Sequence, residues 1–327
     1  MLEHEDGYQR LRHQVMAFVV SQAIFAVTEA GIVELLTAGP TEVGELARQA
    51  AVDRDALSRF LRVLVAEGLF AEDPPGTIAL TEMGAQLRRD RPGSLCHLVT
   101  LMAGEGYQAW AMAAHTLRTG EPAFEIVFGQ PMFDWLGAHP QKSAAFDAAQ
   151  AGLLTTRAAP LVDWDWSGTR TVVDVGGGNG ALLATLLSQH SHLRGILFDL
   201  PHVIKEADVP DRCDLVGGDF FTEVPSGGDV YVLAQVLHCW DDHDAVRILR
   251  QIAAVIPTHG RLLIVERVIP DDDLRHPAKL LDLHMLVMLG GRERTNSDWR
   301  KLLAAGGFEL LDVQCAARSS LLIAACS

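Results

Sequence analysis

The sequence predicts a two-part α/β chain. An open, mostly parallel Rossmann-like sheet ends in an antiparallel C-terminal hairpin and is preceded by a mostly helical, winged-helix-like domain. Three stretches carry that expectation. Residues 171–199 read as a strand, a glycine turn, a helix and a second strand. Residues 307–324 hold two β runs joined by a short polar connection, which reads as a hairpin. Residues 41–82 spell helix, turn, helix and β-wing. The expected boundaries are 1–95 for the winged-helix-like domain, 96–163 for a helical linker, and 164–327 for the sheet domain.

In chain order, residues 11–37 read as one helix, apolar nearly all round through Val15–Val20 and Ala23–Val27. Such a helix is expected to be buried, in its own core or against a second subunit. Thr41 is placed to cap a short helix ending near Gln49, and Asp53 or Asp55 to open the next. In the latter, Leu57, Phe60, Leu61 and Leu64 fall at i, i+3, i+4 and i+7, the apolar face of an α-helix. Gly68 ends it, and the runs 69–71 and 77–81 flank the turn Asp73-Pro74-Pro75-Gly76 as the wing. A DNA reader needs a basic face. Residues 41–72 carry Arg48, Arg54, Arg59 and Arg62 against the acidic Glu42, Glu45, Asp53, Asp55, Glu67 and Glu72. The module is therefore expected to be structural or dimerising. Residues 94–160 are again helical, and their aromatics, among them Phe133, Trp135 and Phe146, belong either to a core or to the wall of an apolar cleft.

Val172 and Val173 fit a buried parallel strand. It breaks into Gly176, Gly177, Gly178 and Gly180, and a helical pattern follows through Leu182, Leu183, Leu186 and Leu187. The second strand, Ile196–Phe198, ends on Asp199, about 20 residues on, where an acidic side chain grips the hydroxyls of a ribose. The unit predicts an adenosine-containing cofactor. The spacing Gly176-x-Gly178-x-x-Ala181 leaves a nicotinamide dinucleotide open. A dinucleotide domain, however, usually begins near the N-terminus, and this unit starts past mid-chain.

Ligands of open α/β sheets sit outside the carboxyl ends of the strands. His238 follows the strand 229–233, Glu266 ends the strand 261–265, and Glu293 precedes a helix that Thr295 and Asp298 open as a capping box. Each has a plain structural alternative, a core histidine or a surface ion pair. Together they supply a general base, an imidazole with carboxylates to fix its tautomer and stabilise its charged form. His238, His243, Asp241 and Asp242 lack the i, i+4 spacing of a metal site, and one carboxylate is needed as a helix cap, so no metal is expected.

A net charge of −15 argues against nucleic acid or an anionic membrane as partner. The five scattered cysteines never form C-x-x-C, which suits a reducing compartment. The acidic N-terminus does not read as a signal peptide, and no uninterrupted apolar run approaches 18 residues. A cytoplasmic protein is expected.

The C-terminal hairpin resembles that of class I S-adenosylmethionine (SAM)-dependent methyltransferases, which favours SAM over a dinucleotide. The motifs Val173-Asp174-Val175-Gly176-Gly177-Gly178, Phe198-Asp199-Leu200-Pro201-His202-Val203-Ile204, Gly217-Gly218-Asp219-Phe220-Phe221, Leu237-His238-Cys239-Trp240 and Gly291-Arg292-Glu293-Arg294-Thr295 look like the caffeic-acid O-methyltransferase family. More closely they resemble its bacterial branch, which tailors aromatic secondary metabolites such as polyketides and phenazines. The resemblance covers nearly the whole chain. It implies a homodimer, SAM as cofactor with S-adenosylhomocysteine as product, no metal, and methylation of a phenolic hydroxyl. His238 matches the family's general base, and Glu266 and Glu293 its acidic partners. Cofactor contacts map onto Asp174, Gly176, Gly178, Asp199 (ribose), Leu200, Asp219 and Phe220 (adenine), and Trp240. Candidate substrate contacts are Phe133, Trp135, Phe146, Gln150, Met285 and Met288. Two positions depart from the pattern: Cys239 replaces the usual Asp, and Ala234 stands where a polar residue is common. Transfer to nitrogen or carbon, a non-methylating reaction on the same fold, and a non-catalytic SAM-binding regulator are the alternatives.

Overall fold

The computed structural model describes residues 6–91, 93–152, 159–205, 207–315 and 319–327. They form two compact units, one within residues 6–108 together with 144–152 and one within 109–143 together with 159–327.

The first unit opens with the helix Gly7–Glu29, which buries only Ala23, Val27 and Thr28. Tyr8, Leu11 and Val15 are 69%, 61% and 64% exposed. The single chain therefore leaves uncovered the apolar surface for which the sequence demands burial. Gly31, at φ 72°, breaks the expected 11–37 helix into two pieces. By length and composition Gly7–Glu29 could also cross a membrane.

The winged module follows, with one strand more than expected. β1 (Thr41–Glu42) pairs with β3 (Thr77–Leu80), which pairs with β2 (Phe70–Glu72), all antiparallel. Thr41 thus lies in a strand, and Glu42 caps the next helix by accepting from the Glu45 N–H at 3.1 Å. Asp53 caps the following helix, Arg54–Ala66. Leu57, Leu61 and Leu64 are buried there, but Phe60 is 41% exposed. The i+3 position sits at the margin of the buried stripe, so Phe60 leaves the expected core.

The second unit is built on a seven-stranded sheet. Its strands are β4 (Thr171–Val175), β5 (Arg194–Asp199), β6 (Cys213–Gly217), β7 (Val230–Ala234), β8 (Arg261–Glu266), β11 (Phe308–Gln314) and β12 (Ser320–Cys326). The order is β11-β12-β8-β7-β4-β5-β6. β4 to β8 are parallel, and β12 enters antiparallel between β8 and β11, the hairpin read from the sequence. The sequence pattern does not mark β6, since Cys213–Gly217 is a half-exposed edge strand without a continuous apolar run. A second short pair, β9 (Val268–Ile269) with β10 (Arg294–Thr295), ties the segment after β8 to the Glu293 loop.

Alternation along the strands distributes the core. Val173, Leu233, Ile264 and Leu322 pack on one face with the helices Asp242–Val255 and Asn296–Gly306. Their neighbours Val172, Val232, Leu263 and Leu321 pack on the other with the helix Ala181–Gln189. Successive strand residues point to opposite faces, so strands apolar at every position require helices on both sides. That leaves only the strand ends open to ligands.

Candidate active site

The glycine turn after β4 lies against β5. The Gly176 N–H donates to Phe198 O at 2.8 Å, and Gly176 and Gly178 have φ of 71° and 61°, a region that disfavours side chains. The Gly178 N–H donates to Asp199 Oδ2 at 2.8 Å and the Leu200 N–H to Oδ1 at 2.7 Å. Each Asp199 oxygen is thereby aimed by one backbone donor and retains a lone pair. Burial raises the Asp199 pKa above its ordinary value, against the pull of these two N–H groups and of His202. A ligand bringing two hydroxyl donors suits such a carboxylate. A Cβ on Gly178 would meet nothing within 4 Å, so the turn offers an open cradle beside it.

The other sequence-selected cofactor residues surround this edge. Asp174 is 2% exposed and lies beneath the turn, its Oδ2 2.6 Å from where a Cβ on Gly177 would stand. Phe220 closes on the turn, 3.5 Å from the corresponding point on Gly176. Asp219 is exposed and accepts from the Phe221 N–H at 2.9 Å. Trp240 meets Phe220 and Phe221 edge-on at 6.0 and 4.7 Å, and Phe133 stacks on it at 5.9 Å. Phe133, selected for substrate, is thus in contact with Trp240, selected for cofactor.

The sequence places His238, Glu266 and Glu293 far apart, and the sheet edge assembles them. His238 lies in a short 3-10 turn, Leu237–Cys239, after β7. Its Nδ1–H donates to Glu293 Oε1 at 2.7 Å, with Glu266 Oε2 at 3.5 Å, and its backbone N–H donates to Glu266 Oε1 at 3.2 Å. All three are buried, at 8%, 0% and 4% exposure. Burial alone would lower the His238 pKa, but Glu266, the adjacent Cys239 and the Glu293 hydrogen bond reverse it and hold the imidazole well above its ordinary 6.5. Burial pushes Glu266 upward, with Glu293 adding to it and His238 and Arg294 opposing. With Nδ1 committed to a carboxylate, the proton-accepting atom is Nε2.

Several supports were not singled out from sequence. Arg294, 1% exposed, donates to Leu237 O at 2.9 Å, Trp240 O at 3.0 Å and Asp242 Oδ1 at 2.9 Å, clamping the turn on both sides of His238. Its place in Arg292-Glu293-Arg294 was the available signal. Asp242 therefore serves this clamp, while Asp241 caps the helix by accepting from the Asp244 N–H. The Glu293 N–H donates to Asp282 at 2.9 Å. A Cβ on Gly291 would fall 2.1 Å from His238 O, so only glycine lets the two loops approach this closely. Gln235, a non-glycine at φ 57°, makes the bend between β7 and the His238 turn.

Met285 and Met288 are buried on the helix Pro277–Leu289. Trp135 packs in an aromatic group with Phe124, Phe128 and His139 at 5.7, 5.1 and 4.2 Å. Phe146 and Gln150 are half-buried on the helix Pro140–Gly152, within the stretch 144–152 that belongs to the first unit.

Comparison with known proteins gives this geometry its context. Residues 110–309 match the family profile described as the O-methyltransferase domain, and residues 13–89 the O-methyltransferase dimerisation domain. Phenazine O-methyltransferase PhzM of Lysobacter antibioticus is 42% identical over 308 residues, covering 92% of this chain and 90% of that protein. The crystal structure of LaPhzM superposes with a TM-score of 0.94 at 40% identity, over 99% of this chain and 100% of the other. The O-methyltransferase NcsB1 from neocarzinostatin biosynthesis, solved with SAM and 2-hydroxy-5-methyl naphthoic acid, has a TM-score of 0.83 at 32% identity, over 94% and 96% of the two chains.

Proposed function

Because this chain belongs to the O-methyltransferase family, we propose that it methylates a phenolic hydroxyl of an aromatic secondary metabolite, with His238 as general base. It is a SAM-dependent enzyme. When bound, SAM supplies an electrophilic methyl on a sulfonium whose positive charge favours the neutral imidazole.

The observation that carries the reading of His238 is its contact with Glu293 at 2.7 Å. The carboxylate fixes the Nδ1–H tautomer and leaves Nε2 to take the phenol proton. A phenol loses its proton near pH 10 and an ordinary imidazolium near 6.5, a gap of roughly 3.5 units. Glu266 and Glu293 raise the proton affinity of His238 and narrow that gap. Asp199 takes the ribose hydroxyls, Asp219 and Phe220 border the adenine, and the turn at Gly176 and Gly178 admits the rest of the cofactor, with Asp174, Leu200 and Trp240 shaping the edge. Phe133, Met285 and Met288 are read as substrate walls. Trp135, Phe146 and Gln150 stand as further candidates.

The apolar residues exposed along Gly7–Glu29 lie largely within the matched dimerisation segment, and we read them as the contact of a homodimer. The test of the function is incubation with methyl-labelled SAM and a panel of phenols, phenazines and polyketide aglycones. Label on an aryl oxygen supports the assignment, whereas label only on nitrogen or carbon overturns it.

A further inference from the structure

A second imidazole has the opposite hydrogen-bonding arrangement to His238. His284 lies on the helix Pro277–Leu289, next to Met285 and one turn before Met288. The indole N–H of Trp110 donates to His284 Nδ1 at 3.0 Å, and the two rings are nearly parallel, 14° apart. An indole nitrogen can only donate, so Nδ1 must be the unprotonated nitrogen. A neutral His284 therefore carries its proton on Nε2. Burial, together with the charge of nearby His238, pushes its pKa down to about 4, so it stays neutral at ordinary pH. Among the described residues none hydrogen-bonds Nε2, and the side chain is half-buried.

The pair is complementary. Glu293 turns His238 into an acceptor at Nε2, and Trp110 turns His284 into a donor at Nε2. The Nε2–H is not among the sealed, unpartnered polar atoms, so it is open to solvent, and a ligand that displaces its water must replace that hydrogen bond to bind well. We propose that His284, locked by Trp110, donates a hydrogen bond to the methyl acceptor and selects aromatic phenols that also carry a hydrogen-bond acceptor, such as a ring nitrogen, carbonyl or carboxylate. This rests on the reading that a phenol occupies the site beside His238. It assigns specificity to His284 and a positioning role to Trp110.

The test uses the full-length protein and two probes of one outline, a hydroxyphenazine with ring nitrogens and the hydroxyanthracene without them. Histidine nitrogen NMR should show His284 as the Nε2–H tautomer from pH 5 to 8, and Trp110→Phe should abolish that preference. Adding the hydroxyphenazine to the S-adenosylhomocysteine-loaded protein should shift the Nε2–H resonance, whereas hydroxyanthracene should not. In turnover, the kcat/KM ratio of hydroxyphenazine to hydroxyanthracene should fall roughly three- to tenfold in His284→Phe, mainly through KM, and less in Trp110→Phe. His284→Gln, which keeps an N–H donor, should restore part of the ratio. An Nδ1–H tautomer in the wild type, equal shifts with both probes, or an unchanged ratio would overturn the proposal. Failure to methylate either phenol would instead count against the O-methylation reading, since the NMR shift tests His284 without turnover.

Discussion

Glu293 Oε1 lies 2.7 Å from His238 Nδ1, although 55 residues separate the two in the chain. Glu266 approaches the same imidazole from a third segment, at 3.5 Å, and also takes the His238 backbone N–H. One imidazole is thus held against two buried carboxylates, and Arg294 holds the turn that presents it.

His238→Ala removes the proton acceptor and leaves the Asp199 edge untouched. kcat on a neutral phenol should fall roughly 10²–10⁴-fold, while calorimetry shows SAM affinity nearly unchanged. Full activity in this variant would make His238 structural. The loss should shrink for phenols already ionised at the assay pH.

The pH behaviour of His238 follows from its neighbours. Carboxylates favour the imidazolium, so its pKa in the free enzyme should lie above 6.5, read by NMR of the ring. Glu293→Gln removes one of the raising groups, and the midpoint should move down. More of the ring is then neutral at a given pH, but each neutral ring is a weaker, less fixed base, so kcat should also fall. A midpoint unmoved by Glu293→Gln would deny the electrostatic link.

Asp199→Ala deletes the carboxylate that the Gly178 and Leu200 N–H groups aim. Losing a charged hydrogen-bonding partner costs roughly 1.5–3 kcal/mol, on the order of tenfold or more in SAM affinity. Titration calorimetry checks it, and undiminished affinity would place the ribose elsewhere.

Gly291→Ala tests the close approach of two loops. Its Cβ would fall 2.1 Å from His238 O, so the backbone must yield. The expected cost is about 1–3 kcal/mol of stability, typical of overpacking, with a drop in kcat as the His238 turn shifts. Denaturation curves and kinetics at constant SAM saturation read the two effects separately.

The uncovered face of Gly7–Glu29 predicts self-association. Sedimentation should give a dimer at micromolar concentration, and Phe18→Asp, at a position 48% exposed in the single chain, should shift it toward monomer. A wild-type monomer under those conditions would remove this helix from any subunit contact.

Local chemistry made much of this protein legible in its sequence. The β4–helix–β5 unit, the Asp298 capping box and the terminal hairpin are written in short-range patterns of apolar residues, glycines and caps, which bias the backbone wherever they occur. The same patterns placed His238, Glu266 and Asp199 at the carboxyl ends of strands, where a parallel sheet leaves polar groups reachable. Other features depend on which segments meet. Helical spacing puts Phe60 on the apolar face but does not give that face's width, and packing leaves Phe60 outside. Thr41 reads locally as a cap, because its pairing with Ile78 is long-range. The Arg294 clamp, the tight seat of Gly291 and the Trp110–His284 hydrogen bond join segments up to 174 residues apart. Sequence determined which side chains can accept or donate a proton; only tertiary contact decided which nitrogen of each imidazole does so, because a tautomer is set by the partner on the ring's other side.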